Sequence, residues 1–476
     1  MARTELIATA TFGLEAVVKR EIEALGYTVT ASQDGRLTYL ADERGIVRSN
    51  LWLRSADRVY VKMAEFEAKT FEDLFQNVAG IPWEEWIPYE GKFTVVGTSV
   101  KSQLHSVPGC QSIVKKAIVT RLQQTYGDVT FPETGAAYTV RFAFQKDVCC
   151  VMMDTSGAGL HKRGYRVMDV AAPIKETLAA AMVSLSFFRP GRVMADPFCG
   201  SGTLAIEAAM QARNVAPGLS RKFAAEGWDF IPREVWKEER SKAFSAMRSE
   251  EELQGTKIFA SDIDPKAVKA AKENAIEAGV DDLIDFSVQP FRRFTAQPGL
   301  PEKGMLITNP PYGQRIGEQK ELDSIYRDLK TFADLNPTWS VFLITADKTF
   351  ESKFGRPADR SASCITAGSR PVITRSTDRN KEAKMGILNK LLGKADGNAK
   401  KPALSEDELI EKLKYCKEHD LPVHHKIHGA LKVTRVEEER FFADSEDRKG
   451  LMFPYKYFGD GLLTLPEEDK KSGGAW

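Results

Sequence analysis

Cysteine is scarce in this chain, with six residues among 476, and no two of them form a C-x-x-C pair. A long chain with few, scattered cysteines is typical of a reducing compartment, and this spacing argues against a structural zinc site. Long apolar runs are also lacking, since no stretch approaches the roughly 18 apolar residues of a membrane-spanning helix. The N-terminus lacks the pattern of a signal peptide, so we expect a cytoplasmic location.

Excess charge of one sign is lacking as well, because 67 Lys and Arg residues face 66 Asp and Glu residues, for a net charge of +1. Bulk attraction to nucleic acid is thereby excluded, and a nucleic-acid partner would need a local basic surface. The hydrophobic fraction of 42% and the charged fraction of 28% are those of a globular protein. The chain is longer than one hydrophobic core usually organises, so its length predicts two or three domains.

Hydrophobic periodicity divides the chain into regions of different texture. Residues 1–60 alternate short strands (6–10, 27–31 and 36–40) with helical pieces, including 13–25, and predict a small α+β module. Residues 61–155 predict a second α+β module, with a helix at 112–126 between strand candidates at 93–99 and 138–153.

The pattern of apolar residues changes near residue 190, where apolar strands are each followed by a helix. We place these strands at 192–195, 257–261, 283–288, 305–308 and 341–345. This spacing predicts an α/β domain at 160–390 with a mostly parallel, Rossmann-like sheet. A small, polar linker follows at 391–404, and residues 405–476 form a C-terminal extension of unknown role, which starts with a helix-capping pattern at Ser405.

A glycine-containing loop follows the first strand of the α/β domain. It reads Asp-Pro-Phe-Cys-Gly-Ser-Gly-Thr at 196–203 and opens an alanine-rich helix. Gly200 and Gly202 would let the backbone approach an adenosine-like ligand, and the loop lacks the endings of a P-loop or a dinucleotide site. Asp262, at the end of the next strand, is the expected partner of ribose hydroxyls, whereas Asp264 is interpreted as the cap of the helix at Pro265.

A second loop, Asn-Pro-Pro-Tyr-Gly at 309–313, follows the fourth strand. The Asn309 side-chain oxygen and the Pro310 carbonyl are two acceptors that match the two hydrogens of an aromatic amine. They would strengthen as positive charge develops on that nitrogen, so catalysis would need no metal. Pro311 helps to end the strand, and Tyr312 offers a ring on which an extruded base can stack. The alternative is a turn that merely ends a strand.

In this order, the motifs resemble class I adenosylmethionine-dependent methyltransferases that act on an exocyclic amine. The stretches 161–166, 172–178 and 214–223 are similar to THUMP-containing RNA guanine-N2 methyltransferases, particularly the bacterial group that acts on 23S ribosomal RNA. Within 61–155, the segments 71–75, 81–83, 101–105 and 111–117 resemble the THUMP domain. The resemblance covers roughly residues 1–385.

The resemblance implies S-adenosylmethionine as cofactor and structured RNA as partner, with a ferredoxin-like module at 1–60 and THUMP at 61–155 gripping the RNA. It supports cofactor contacts from the glycine loop and the second strand, and suggests that the segment from Pro173 to Thr177 closes over the cofactor. We therefore assign cofactor binding to Asp196, Phe198, Gly200, Gly202, Thr203, Asp262, Ile263, Pro173 and Thr177. A packing role for 175–183 is the alternative. Gln289 and Pro290 stand where the family often has an acidic residue near the adenine.

Local basic residues are the candidates for RNA contact, since Lys and Arg supply most phosphate contacts. They are Lys101, Lys115, Lys116, Arg121, His161, Lys162, Arg163 and Arg166, for which a solvated surface is the alternative. Four histidines near Cys416 fit no standard zinc pattern, so we expect no metal.

The preferred function is formation of N2-methylguanosine in 23S RNA. Alternatives are guanine-N2 methylation of tRNA, adenine-N6 methylation, and a non-catalytic RNA-binding assembly factor.

Overall fold

The computed structural model describes residues 4–376 with gaps at 128–129, 169, 171–172, 296–299, 312–317, 346, 348, 356, 358–359 and 364–371. Beyond residue 376 it describes 413–414, 417–418 and five short strands. The chain divides into two compact units, Met1–Asp378 and Arg379–Trp476. Within the described residues, no helix has both the length and the apolar character needed to cross a membrane.

The first half of unit 1 is one seven-stranded sheet with helices packed on it. In chain order its elements are β1 (Thr4–Ala10), α1 (Glu15–Ala24), β2 (Val29–Gln33), β3 (Arg36–Ala41), α2 (Glu43–Trp52), β4 (Ala56–Glu67), α3 (Phe71–Ala79), β5 (Lys92–Val100), α4 (Val107–Tyr126), β6 (Ala137–Gln145) and β7 (Val148–Asp154). The strand order is β2-β3-β1-β4-β7-β6-β5, and only β5 and β6 pair in parallel.

The long strand β4 joins the two α+β modules that the sequence indicates. It pairs with β1 on one side and with β7 on the other, so residue 60 lies inside a strand. One hydrophobic core runs under the whole sheet and contains fully buried Tyr39, Trp83 and Phe142. Burial of such large side chains contributes about 1.5–3 kcal/mol each, which favours one cooperative body over two.

The prediction of one continuous strand at 138–153 is wrong, because the chain forms a hairpin there. Lys146 and Asp147 make the turn between β6 and β7, with φ angles of 53° and 65°. Two successive positive φ angles match the twist of a two-residue hairpin loop. The Asp147 carboxylate holds the turn by accepting a hydrogen bond from the backbone N–H of Gln103 at 2.7 Å.

The second half of unit 1 is the α/β domain. Its elements are α5 (Glu176–Leu185), β8 (Val193–Asp196), α6 (Thr203–Arg213), α7 (Arg233–Ser245), β9 (Lys257–Asp262), α8 (Pro265–Glu277), β10 (Ile284–Val288), α9 (Phe291–Thr295), β11 (Met305–Thr308), α10 (Glu318–Leu335), β12 (Ser340–Thr345), α11 (Phe350–Phe354), β13 (Arg360–Ser363) and β14 (Val372–Ser376). The order is β10-β9-β8-β11-β12-β14-β13, and the first five strands run parallel. The predicted Rossmann-like sheet is confirmed.

Unit 2 contains an antiparallel sheet of order β18-β17-β16-β15-β19. Its strands are β15 (Val423–His425), β16 (Gly429–Val436), β17 (Arg440–Asp444), β18 (Leu451–Pro454) and β19 (Leu463–Thr464). The linker at 391–404 and the capping pattern at Ser405 lie outside the described residues, as do Cys416, His419 and His428. His424 and His425 lie in β15, and the described residues contain no cluster suited to hold a metal.

Candidate active site

The site lies where the strand order reverses, at the carboxyl ends of three neighbouring strands. Asp196 ends β8, Asp262 ends β9, and Asn309 follows β11 directly. Because β8 lies between β9 and β11, these residues share one edge of the sheet. The hydroxyl of Thr308 donates to Asp196 Oδ1 at 2.8 Å and links two of the strand ends. In open α/β sheets, ligands bind in the crevice at such a point.

The glycine loop after β8 has the backbone that its sequence predicts. Gly200 and Gly202 have φ angles of +52° and +82°, in the left-handed region that favours glycine. A Cβ at Gly202 would lie only 2.9 Å from Ala271 Cβ on α8, so a side chain there would push two helices apart. The N–H of Cys199 donates to Ser261 O at 2.9 Å, which ties the loop to β9. The loop is therefore preorganised.

Asp196 is buried below this loop. Its Oδ1 accepts hydrogen bonds from Thr308 and from the N–H of Phe198 at 3.3 Å. Its Oδ2 is buried without a hydrogen-bond partner among the described residues. Burial raises the pKa of Asp196 to about 7. A buried acceptor left over at a ligand crevice matches a cationic or N–H-bearing group on the ligand.

Asp262 is fastened to the backbone around it. Its Oδ2 accepts from Gly200 N–H and its Oδ1 from Asp264 N–H, each at 3.0 Å. A carboxylate oxygen can accept two hydrogen bonds, so both oxygens retain room for a hydroxyl donor. Next to it, the Ile263 side chain is 72% exposed and offers an apolar surface to a flat ring. The interpretation of Asp264 as a helix cap is confirmed, because its side chain accepts from Lys266 N–H at 2.8 Å.

Arg166 and Asn274 support the glycine loop, a role that sequence reasoning missed. The Arg166 guanidinium donates to Ser201 Oγ at 2.9 Å, to Thr203 Oγ1 at 3.1 Å and to Glu176 Oε1 at 2.9 Å. It thus joins the start of α6 to the start of α5. The prediction that Arg166 contacts RNA needs correction, since its donors are engaged within the protein.

Asn274, fully buried on α8, ties the glycine loop to residues 167–168. Its side-chain N–H groups donate to the carbonyls of Ser201 at 3.1 Å and Met168 at 3.0 Å. Its Oδ1 accepts from the N–H groups of Val167 and Met168. Asn274 lies on the same helix face as the alanines around it, and an amide in an apolar stripe was the signal in the sequence.

The assignment of Arg163 to RNA contact is wrong, because its guanidinium is buried. It pairs with Glu207 of α6 at 3.2 Å and donates to the carbonyls of Leu160 and Arg54.

Thr177 is also buried, and its hydroxyl faces Asp57 at 3.4 Å, which favours the packing interpretation of α5. Pro173 is exposed and lies two residues before the N-cap of α5, Lys175.

The other basic candidates differ in their availability. Lys115 and Lys116 are exposed on α4, with their ammonium groups 5.9 Å and 5.7 Å from the rings of Phe93 and Phe75. Lys101 is exposed in the turn after β5, with a φ angle of 50°. Arg121, by contrast, is neutralised by a bidentate salt bridge with Glu84. Its predicted phosphate contact therefore needs correction.

The Asn-Pro-Pro segment leaves the sheet as predicted. β11 ends at Thr308, the Asn309 side chain is half-buried, Pro310 is buried and Pro311 is exposed. Tyr312 and its predicted stacking role lie outside the described residues. Phe198 packs against Phe291, with ring centroids 5.4 Å apart, and so borders the crevice from the glycine loop.

The site combines a preorganised glycine loop, an acid at each of two strand ends and an Asn-Pro-Pro segment. On a parallel sheet of order β10-β9-β8-β11-β12, these features define a class I methyltransferase. Three family matches narrow the class. Residues 5–60 match the RlmL ferredoxin-like domain, 68–154 the THUMP domain and 163–367 the RMKL-like methyltransferase domain. The chain belongs to the THUMP-containing family of RNA methyltransferases, as the sequence resemblance predicted.

Individual relatives agree with this assignment. YpsC of Bacillus subtilis (strain 168), a candidate RNA methyltransferase, is 46% identical over 362 residues, which are 76% of this chain and 92% of YpsC. A predicted N6-adenine-specific DNA methylase from Listeria monocytogenes is 41% identical with a TM-score of 0.74, covering 79% of this chain and 96% of its own. SMU.472, a candidate methyltransferase complexed with SAH, is 37% identical with a TM-score of 0.73 and coverages of 80% and 100%.

Proposed function

We propose that this chain is a cytoplasmic enzyme that methylates N2 of a guanine in 23S ribosomal RNA. The observation that carries the proposal is the placement of Asn309 beside the glycine loop, on a family fold that includes a THUMP domain. The methyl donor is S-adenosylmethionine, whose product SAH is bound by the relative SMU.472.

The residues at the strand ends fit this cofactor. Asp196 offers an unpaired buried oxygen to a positively charged group, and Asp262 keeps acceptor capacity for ribose hydroxyls. Exposed Ile263 provides an apolar surface for the adenine. When bound, S-adenosylmethionine supplies an electrophilic methyl group on its sulfonium. We assign the cofactor contacts to the predicted set, now without Thr177 and with Arg166 as support for the loop.

Asn309 and Pro310 would present the base amine. The Asn309 amide oxygen and the Pro310 carbonyl each accept one amine hydrogen, which aims the nitrogen lone pair toward the methyl group. These acceptors bind the amine more tightly as it becomes cationic, so they stabilise the transition state more than the ground state. The same two acceptors fit the N6 amine of adenine. The description of the Listeria relative keeps that second candidate open.

The test is transfer of labelled methyl from S-adenosylmethionine to unmodified 23S, 16S and transfer RNA, followed by nucleoside analysis of the labelled RNA. We expect N2-methylguanosine in 23S RNA. N6-methyladenosine would overturn the base assignment, and label in transfer RNA alone would overturn the substrate assignment. Absence of transfer to all three RNAs would contradict the proposed function.

A further inference from the structure

A cavity of about 360 Å³ lies next to the glycine loop and shares one residue, Pro173, with the assigned cofactor contacts. Residues 161–164 with Arg166 form one wall, and residues 173–176 form the other. Arg166 separates the cavity from the loop, because its Nη1 atom lies 2.9 Å from Ser201 Oγ. Whatever occupies this cavity therefore lies one side chain away from the start of α6.

The two arginines of the cavity wall are neutralised. Arg163 pairs with Glu207 at 3.2 Å, and Arg166 pairs with Glu176 at 2.8 Å. Their role is to fix the wall rather than to bind a ligand.

Two lysines supply positive charge at this cavity. Lys162 and Lys175 are exposed, and neither forms an ion pair with any residue that the structure describes. The buried acid Asp57 attracts Lys175 electrostatically, and its Oδ1 accepts from Thr177; burial raises its pKa, and Lys175 opposes that rise. His161 also lines the cavity, and its pKa is lowered by burial and then by Lys175. With both arginines paired, two lysines are balanced by Asp57 alone, so the cavity keeps an excess of positive charge.

The remaining lining is apolar. Pro173 and Ile174 present hydrocarbon surface, and Gly164, with a φ angle of +105°, has no side chain to fill the space. A ligand that satisfies this cavity combines an anionic group with a compact, partly apolar body. A phosphodiester with its ribose has that chemistry.

We propose that this cavity binds the phosphodiester adjacent to the target nucleotide of the substrate RNA, with Lys162 and Lys175 as the counter-charges. An enzyme that acts on a base amine takes the base out of the stack, and the neighbouring backbone must then be held in register. This inference rests on the proposed function and adds a binding site to it. It moves the RNA contact from Arg163 and Arg166 to the two lysines.

The experiment compares Lys162→Gln, Lys175→Gln and the double variant with wild type in the full chain. The matched control is Lys303→Gln, an exposed lysine that precedes β11 at the opposite edge of the sheet. The dissociation constant for a 23S RNA transcript is measured at several salt concentrations with SAH present. Each cavity variant should lower the slope of log affinity against log salt by about 1, and the double variant by about 2. Affinity for SAH, measured by calorimetry, should stay unchanged.

Slopes equal to that of Lys303→Gln would overturn the inference. A loss of SAH affinity with unchanged RNA binding would also overturn it and would assign the cavity to the cofactor. Competition by inorganic phosphate, in wild type but not in the double variant, separates a general anion site from one that needs the RNA backbone. The proposed function fails separately, if wild type binds the transcript with the expected slope but transfers no methyl.

Discussion

Single residues at the strand ends determine what this site can do. Asp196 and Asn309 lie on β8 and directly after β11, yet their surroundings differ. Asp196 is fully buried with a pKa near 7, whereas Asn309 is half-buried at the crevice. In the proposed function, the acid responds to the charge of the bound cofactor, and the amide responds to the charge that develops on the substrate. Two substitutions separate these roles.

Asn309→Ala should cut kcat by more than about 100-fold, the cost of losing one oriented transition-state acceptor. The dissociation constant for S-adenosylmethionine should stay near that of wild type, because Asn309 is assigned to the amine. Single-turnover methyl transfer and calorimetry measure the two quantities. Asn336→Ala, a half-buried asparagine after α10, is the control. Equal turnover in Asn309→Ala and Asn336→Ala would remove Asn309 from the mechanism.

Asp196→Asn should change how the stability of the free protein depends on pH. Burial raises the pKa of Asp196 from 3.8 to about 7, so the folded state holds a proton that the unfolded state releases. This acid therefore destabilises the folded protein increasingly as pH rises from about 4 to about 7, and no further above that. Thermal unfolding at pH 5 and pH 8 should show that Tm of the variant minus Tm of wild type is larger at pH 8. Equal differences at both values would contradict a raised pKa.

At the scale of elements, strand ends and the glycine loop were predictable from the sequence, since apolar runs and left-handed glycines mark them locally. The hairpin at Lys146 and Asp147 was not, because its positive φ angles occur without glycine and are held by Asp147 bonding to Gln103, far away in sequence. Likewise, the burial of Arg163 depends on Glu207, which no local pattern reveals. Contacts between distant elements decide which basic residues remain available.

Asn274→Ala should loosen the glycine loop without touching the cofactor. The change leaves the N–H groups of Val167 and Met168 and the carbonyl of Ser201 without their partner. Unfolding free energy should fall by about 1–3 kcal/mol, and cofactor affinity should fall with it. Denaturant unfolding and calorimetry measure both. Lys272→Ala, on the exposed face of the same helix, should change neither, and an unaltered cofactor affinity in Asn274→Ala would contradict the clamp.

At the scale of the molecule, the segment between α6 and β9 connects the α/β domain to the N-terminal sheet. The Trp228 ring stacks on Tyr138, with centroids 5.2 Å apart, and its indole N–H donates to Ala137 O. Gly218 N–H donates to Leu51 O at 2.9 Å. Phe223 and Trp236 belong to the N-terminal core. The N-terminal sheet and the α/β domain of unit 1 are therefore packed as one body.

Glu207→Ala tests this junction. The substitution leaves the Arg163 guanidinium buried without its counter-charge, and removing one partner of a buried pair costs about 3–5 kcal/mol. Denaturant unfolding followed by tryptophan fluorescence should show this loss. The exposed pair of Lys330 and Asp334 provides the control, because Asp334→Ala should cost less than about 1 kcal/mol. Similar stabilities of the two variants would show that the buried pair does not stabilise Arg163, whose guanidinium reaches the N-terminal half through the carbonyl of Arg54.

The shared strand β4 limits how this protein can be recombined with others. Family matches at 5–60 and 68–154 invite a cut between them, yet β4 extends from Ala56 to Glu67 across that gap. A chimaera joined there would take half of a central strand from each parent and would have to reconcile its register with β1 and β7 at once. The two modules therefore form a single structural unit. A chimaera that exchanges this unit needs its breakpoint after β7, beyond Asp154.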